Sequence, residues 1–276
     1  MTGPQLGPRE TRPQPGPRET RLLAAFALAF LLLYAPGMAQ VSWGISWPEA
    51  PLNTYFLPAE VVGVLIPVLL LAIGQHKPDV LRWRKPPAAA VGWAVVATLG
   101  LAGLLTYTQT GWEKLTGIGP PPGLAEILTI TGPADLVWLI LGAVLLPAIA
   151  EESAFRGYLQ TTFEQWTWPV AAILASTALF GLFHHDSYGV PTYLAMGVFL
   201  GMLSWRTGSI WPGAASHGAN NILAVAQFNG IPEAWWLANA AWLAPISVTL
   251  ASVGIWRLFF GGAPRTPRAP QTPRVP

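Results

Sequence analysis

The chain has 276 residues, 52% of them hydrophobic and only 10% charged, with a net charge of +2 and no cysteine. So few charges cannot solvate a soluble fold of this length, for which about 25% is usual. The missing cysteine excludes a disulfide framework and any Cys-held zinc, haem or iron–sulfur site. The basic residues flank apolar runs instead of forming one face, which speaks for a lipid bilayer and against nucleic acid.

In chain order, residues 1–21 form a Pro/Arg-rich arm. Pro4 to Arg12 and Pro13 to Arg21 are near-copies of one nine-residue unit with too little apolar surface to pack. Leu22 to Val41 is read as a retained first span, with a signal peptide ending near Ala39 as the alternative. Further apolar runs follow at Ala59–Gln75, Ala88–Gln109, Leu136–Ala150, Pro169–Phe183, Pro191–Trp205, Ile210–Phe228 and Leu237–Phe260. This predicts an all-α membrane domain over 22–260 with about eight spanning helices. Gly117 to Ile130, broken by G-P-P-P-G, is expected to be a loop or a short interfacial helix. Residues 261–276 are expected to form a disordered basic tail.

With both termini inside, every Lys and Arg except Lys114 falls on the inner side, while Glu49, Glu60, Glu113, Glu126, Asp186 and Glu233 fall outside or near it. That is the positive-inside pattern. Short loops and no organelle address suggest an integral protein of a prokaryotic plasma membrane.

Eight strongly polar residues lie inside or against the apolar runs: Glu151, Glu152, Arg156, His184, His185, His217, Asn220 and Asn221. Such residues usually face a bundle interior or a wet cavity and mark function, although paired groups can simply join helices. Glu152 and Arg156 are four apart and can pair on one face, which leaves Glu151 uncommitted. His217 and Asn221 share a face in the same way, an arrangement suited to holding an oxyanion. If the helix carrying Glu151 continues to a turn near Trp166–Trp168, Glu151 and His184 lie about equally far from the turn. At ~1.5 Å per residue an antiparallel hairpin sets carboxylate opposite imidazole, as water activation requires. His217, only about seven residues into its helix, meets them if the hairpin projects into the cytosol.

The three clusters resemble motifs of the CAAX-protease and bacteriocin-processing (CPBP, Abi) family of intramembrane endopeptidases. E-E-S-A-F-R at Glu151–Arg156 is similar to E-E-x-x-x-R, F-G-L-F-H at Phe180–His184 to F-x-x-x-H, and H-G-A-N-N at His217–Asn221 to H-x-x-x-N. The resemblance covers 136–228. It implies an endopeptidase acting on a membrane-anchored protein or peptide. Glu151 would be the general base, His184 would share its water, His217 and Asn221 would stabilise the tetrahedral intermediate, and Glu152 and Arg156 would support the site. At the motif spacing His185 and Asn220 are structural. No cofactor is expected. If a metal is used, the set would be Glu151, His184 and His217, as in known zinc sites, but the helix-borne H-E-x-x-H motif is missing. The rivals are a serine protease using Ser216, a proton-relaying transporter and a non-catalytic immunity or scaffold protein.

Overall fold

A computed structural model describes residues 59–74, 78–165 and 167–261. The terminal arm, the first apolar run and most of the tail lie outside the described residues. All regular structure among the described residues is helical.

Helix α1 starts as a π-helical stretch, Ala59–Leu65, and continues as Ile66–Gly74. A 3-10 turn at Pro78–Leu81 leads into α2, Ala88–Thr116. The short α3, Leu124–Leu128, falls within the broken segment after α2. Next come α4, Pro133–Glu164, and α5, Pro169–Phe183. The remaining helices are α6, Val190–Thr207; α7, Trp211–Phe228; α8, Glu233–Ala238; and α9, Ala240–Phe259. Each expected apolar run among the described residues is therefore helical. Helices α2, α4 and α9 are long and apolar enough to cross a membrane, and α5 is a shorter apolar helix. The protein is an integral membrane protein.

Proline marks the starts of α4, α5, α6 and α7, where its missing N–H costs no intrahelical bond. At the head of α4, Asp135 Oδ2 accepts the Thr131 backbone N–H at 3.0 Å, a carboxylate favoured by the helix dipole. α2 ends on Gly117 at φ +71, the left-handed conformation that glycine adopts without steric cost.

Small residues let α2 and α9 cross closely. A Cβ on Gly254 would stand 2.6 Å from the Ala97 nitrogen, and one on Gly100 would run into the Ala251 backbone. Such contacts suit association where lipid gives no hydrophobic drive between helices. A second core joins Ala90, Ala94 and Ala97 of α2 to Met196, Phe199, Leu200 and Leu203 of α6. The largest core lies around α4: Val64, Val68 and Ala72 of α1 and Phe180 and Phe183 of α5 pack on Ala150, Ala154, Phe155, Tyr158 and Leu159. Leu70, Ile73, Val170 and Leu174 lie on the outside of the bundle, the side that lipid would cover.

The 32 residues of α4 span about 48 Å at 1.5 Å per residue, against a hydrocarbon slab of about 30 Å. The turn end of the α4–α5 hairpin carries an ion pair between Arg82 and Glu164, near Ser204 of α6, which accepts from Arg82 at 3.1 Å. Arg206 closes α6 nearby. Acids gather at the opposite end of α2. There burial, followed by Glu233, Glu113 and Asp186, pushes the Tyr188 phenol up to about 12. This separation of basic and acidic ends follows the charge bias in the sequence.

Candidate active site

The site forms where α4 departs from ordinary helical winding. Residues Ile140–Leu145 and Glu152–Leu159 make π-helical turns on either side of the α-helical stretch Leu146–Glu151. Such wider turns often occur at functional sites. Pro147 lies between them. It has no N–H to give to the carbonyl four residues back, that of Ala143. Asn221 Nδ2 of α7 donates to that carbonyl at 2.9 Å, so an amide from another helix satisfies a carbonyl that the proline leaves open.

Glu151 and Glu152 are both buried but have different neighbours. Glu152 Oε1 accepts from Arg156 Nη1 at 2.8 Å, and both side chains are fully buried. The same oxygen faces His217 Nδ1 at 3.3 Å. Because a carboxylate can only accept, Nδ1 carries the proton. Gly213 makes room for this contact, since a Cβ there would lie 2.8 Å from Glu152 Oε2. Arg156 also donates to the Gly197 carbonyl at 3.4 Å and lies 4.1 Å from the Phe180 ring centroid. Glu151 Oε2 has no hydrogen-bond partner, and His217 Nε2 lies 3.9 Å from it. The carboxylate left uncommitted by the sequence spacing is thus free of short bonds in the structure.

His184 follows the last residue of α5. Its Nδ1 donates to the Phe180 carbonyl at 2.8 Å, an acceptor that fixes the proton on Nδ1 and leaves the Nε2 lone pair available. Phe180 ties the two histidines together, with its ring centroid 4.6 Å from that of His184 and 5.9 Å from that of His217. His185, by contrast, is exposed in a turn at φ +47. The structure therefore gathers Glu151, Glu152, Arg156 and His217 directly, joins His184 to them through Phe180, and ties Asn221 to the α4 backbone beside them.

Glu60 was not legible as part of this group. The charge pattern sets it with the outer acids, but it is 1% exposed on the first turn of α1. Val64, one turn on, packs in the same core as Ala150 and Ala154, which flank the Glu151–Glu152 pair. The one signal in the sequence was a carboxylate at the mouth of an apolar run.

Two imidazoles and a carboxylate could in principle hold zinc. Among the described residues, no three His, Asp or Glu side chains converge as a metal set. His184 and His217 each have Nδ1 engaged, on a backbone carbonyl and facing Glu152, an arrangement that metal-bound histidines share, so the fit turns on convergence alone. As placed, the described side chains do not converge on a zinc site.

The site thus combines a buried carboxylate without short bonds, two oriented imidazoles and an amide within a bundle of apolar helices. Residues 133–223 match the family model described as type II CAAX prenyl endopeptidase Rce1-like. The match contains all three motifs, so the resemblance to CAAX proteases is borne out over the motif-bearing core. No curated protein and no solved structure matches the chain.

Proposed function

We propose that the protein is an intramembrane endopeptidase that hydrolyses a peptide bond in a membrane-associated or lipidated protein or peptide, with CAAX-type prenylated tails the leading substrate class. The observation that carries this reading is the unequal environment of the adjacent glutamates. Glu152 is bonded to Arg156 and faces His217, while Glu151 stands beside His217 without a bond of its own.

In this reading Glu151 takes a proton from water as the oxygen attacks the scissile carbonyl, and His184, through Nε2, holds and orients the same water. The carbonyl oxygen becomes an oxyanion. His217 donates to it from Nε2, with Glu152 as counter-ion to the doubly protonated ring, and the second N–H of Asn221 adds to the hole. Collapse of the tetrahedral intermediate expels the amine, which takes the proton held by Glu151. Site, carrier lipid and substrate share the bilayer, so the lipid anchor supplies local concentration. The eight-span count and the inner position of both termini belong to the same proposal.

The test is cleavage in vesicles. Purified full-length protein should release a C-terminal fragment from a prenylated peptide embedded in the same bilayer, and release less from the unprenylated peptide. No cleavage of any membrane-anchored peptide would sink the reading. Preference for an unlipidated leader peptide would replace the substrate class and keep the reaction.

A further inference from the structure

The loop after His184 is more ordered than a connection between two helices needs. Asp186 Oδ1 accepts the Tyr188 N–H at 2.8 Å, and Oδ2 accepts the Gly189 N–H at 3.1 Å and the Tyr193 hydroxyl at 2.8 Å. Three donors thus converge on one carboxylate, and two of them are the backbone at the start of α6. From α6 the Tyr193 ring lies flat on the His184 imidazole, with centroids 3.9 Å apart and planes inclined by 26°. Phe180 and Phe183 also meet the imidazole in edge-type contacts, with centroids 4.6 and 5.6 Å away. Gly189 is part of the arrangement. Its φ of −78 is ordinary for any residue, yet a Cβ there would collide with the Tyr193 ring.

A ring gripped on one face by a tyrosine and in edge-type contact with two phenylalanines, with Nδ1 on a backbone carbonyl, has one orientation left. That orientation fixes where Nε2 points. Reacting groups misplaced by about 1 Å can cost on the order of 100-fold in rate, so such restraint matters more for an imidazole that orients a water than for one that only fills space. We propose that Tyr193, tethered by Asp186, is a positioning residue that holds His184 Nε2 toward the water beside Glu151. The proposal rests on the endopeptidase reading for its effect on rate, but the restraint on the ring is independent of any substrate.

Two arms of one experiment keep these apart, both on the full-length protein in vesicles. In the first, kcat and KM are measured for wild type, Tyr193→Phe, Tyr193→Leu and Gly189→Ala. Tyr193→Phe keeps the stacking face and loses only the tether, so kcat should fall about threefold. Tyr193→Leu removes the face and should lower kcat at least tenfold with KM within twofold. Gly189→Ala, which displaces the ring without altering it, should lower kcat in the same way. Unchanged kcat in Tyr193→Leu, or a raised KM at constant kcat, would overturn the proposal. In the second arm, ¹⁵N-histidine spectra without substrate read the His184 nitrogens. Wild type and Tyr193→Phe should show one fixed Nδ1–H tautomer, and Tyr193→Leu an averaged or shifted pattern. An unaltered His184 signal in Tyr193→Leu overturns the clamp even if activity falls. A wild type that cleaves nothing overturns the endopeptidase reading and leaves the spectra to decide the clamp.

Discussion

Removing the carboxylate of Glu152 should damage the fold far more than removing that of Glu151, although the two are neighbours. Glu152→Ala strips the guanidinium of Arg156, itself fully buried, of its 2.8 Å partner. Breaking a buried pair from one side typically costs about 3–5 kcal/mol. The Gly197 carbonyl at 3.4 Å and the Phe180 face at 4.1 Å lie against the cation with or without Glu152 and so cancel in the difference. The expected loss is therefore about 3–5 kcal/mol. Glu151→Gln breaks no short bond, since Oε2 has no hydrogen-bond partner and His217 Nε2 stands 3.9 Å away, and should lie within about 0.5 kcal/mol of wild type. The double variant Glu152→Leu/Arg156→Met removes both charges and should recover to within about 1 kcal/mol. Reversible unfolding in mixed micelles, titrated with SDS, measures all four proteins. A Glu152→Ala protein as stable as wild type, or a Glu151→Gln protein less stable than Glu152→Ala, would refute the division of labour drawn between the two glutamates.

The bond from Asn221 to the half-buried Ala143 carbonyl predicts two separable losses in Asn221→Ala: about 1 kcal/mol of stability from the lost hydrogen bond, and reduced kcat. Adding Pro147→Ala restores an N–H to α4 and should recover stability but not kcat; recovery of both would make Asn221 purely structural. Since the described His and Glu side chains do not converge as a metal set, a strong chelator should leave cleavage in vesicles unchanged. Activity lost to chelator and restored by zinc would overturn the metal-free mechanism.

The elements legible in the sequence are those set by short-range rules. Pro133 and Pro169 mark where α4 and α5 begin. The continuous helix from Pro133 to Glu164 is the one that the run Arg156–Phe163 allowed. The four-residue spacing of Glu152 and Arg156 appears as a 2.8 Å ion pair, even though π-helical winding replaces the expected α-helix. Both residues stay on one side of the wider turn. What was hidden depends on which non-neighbouring helices touch. The burial of Glu60 follows from α1 packing on the middle of α4, and neither helix carries a pattern that names the other. The Tyr193 stack on His184 depends on a loop held by one aspartate. The Asn221 bond required knowing that the proline on α4 would face α7. The motifs named the candidate site residues, whereas the contacts that hold them come from longer-range packing.

The most direct test of the central claim is single-turnover cleavage of a membrane-anchored peptide by wild type and Glu151→Gln, both folded to the same extent in the same vesicles. The predicted result is fragment release by wild type and a rate at least a thousandfold lower in Glu151→Gln, on the order expected when a general base and its water are lost. A Glu151→Gln protein that cleaves within tenfold of wild type would contradict the account, because the carboxylate without short bonds would then not be the group that activates water.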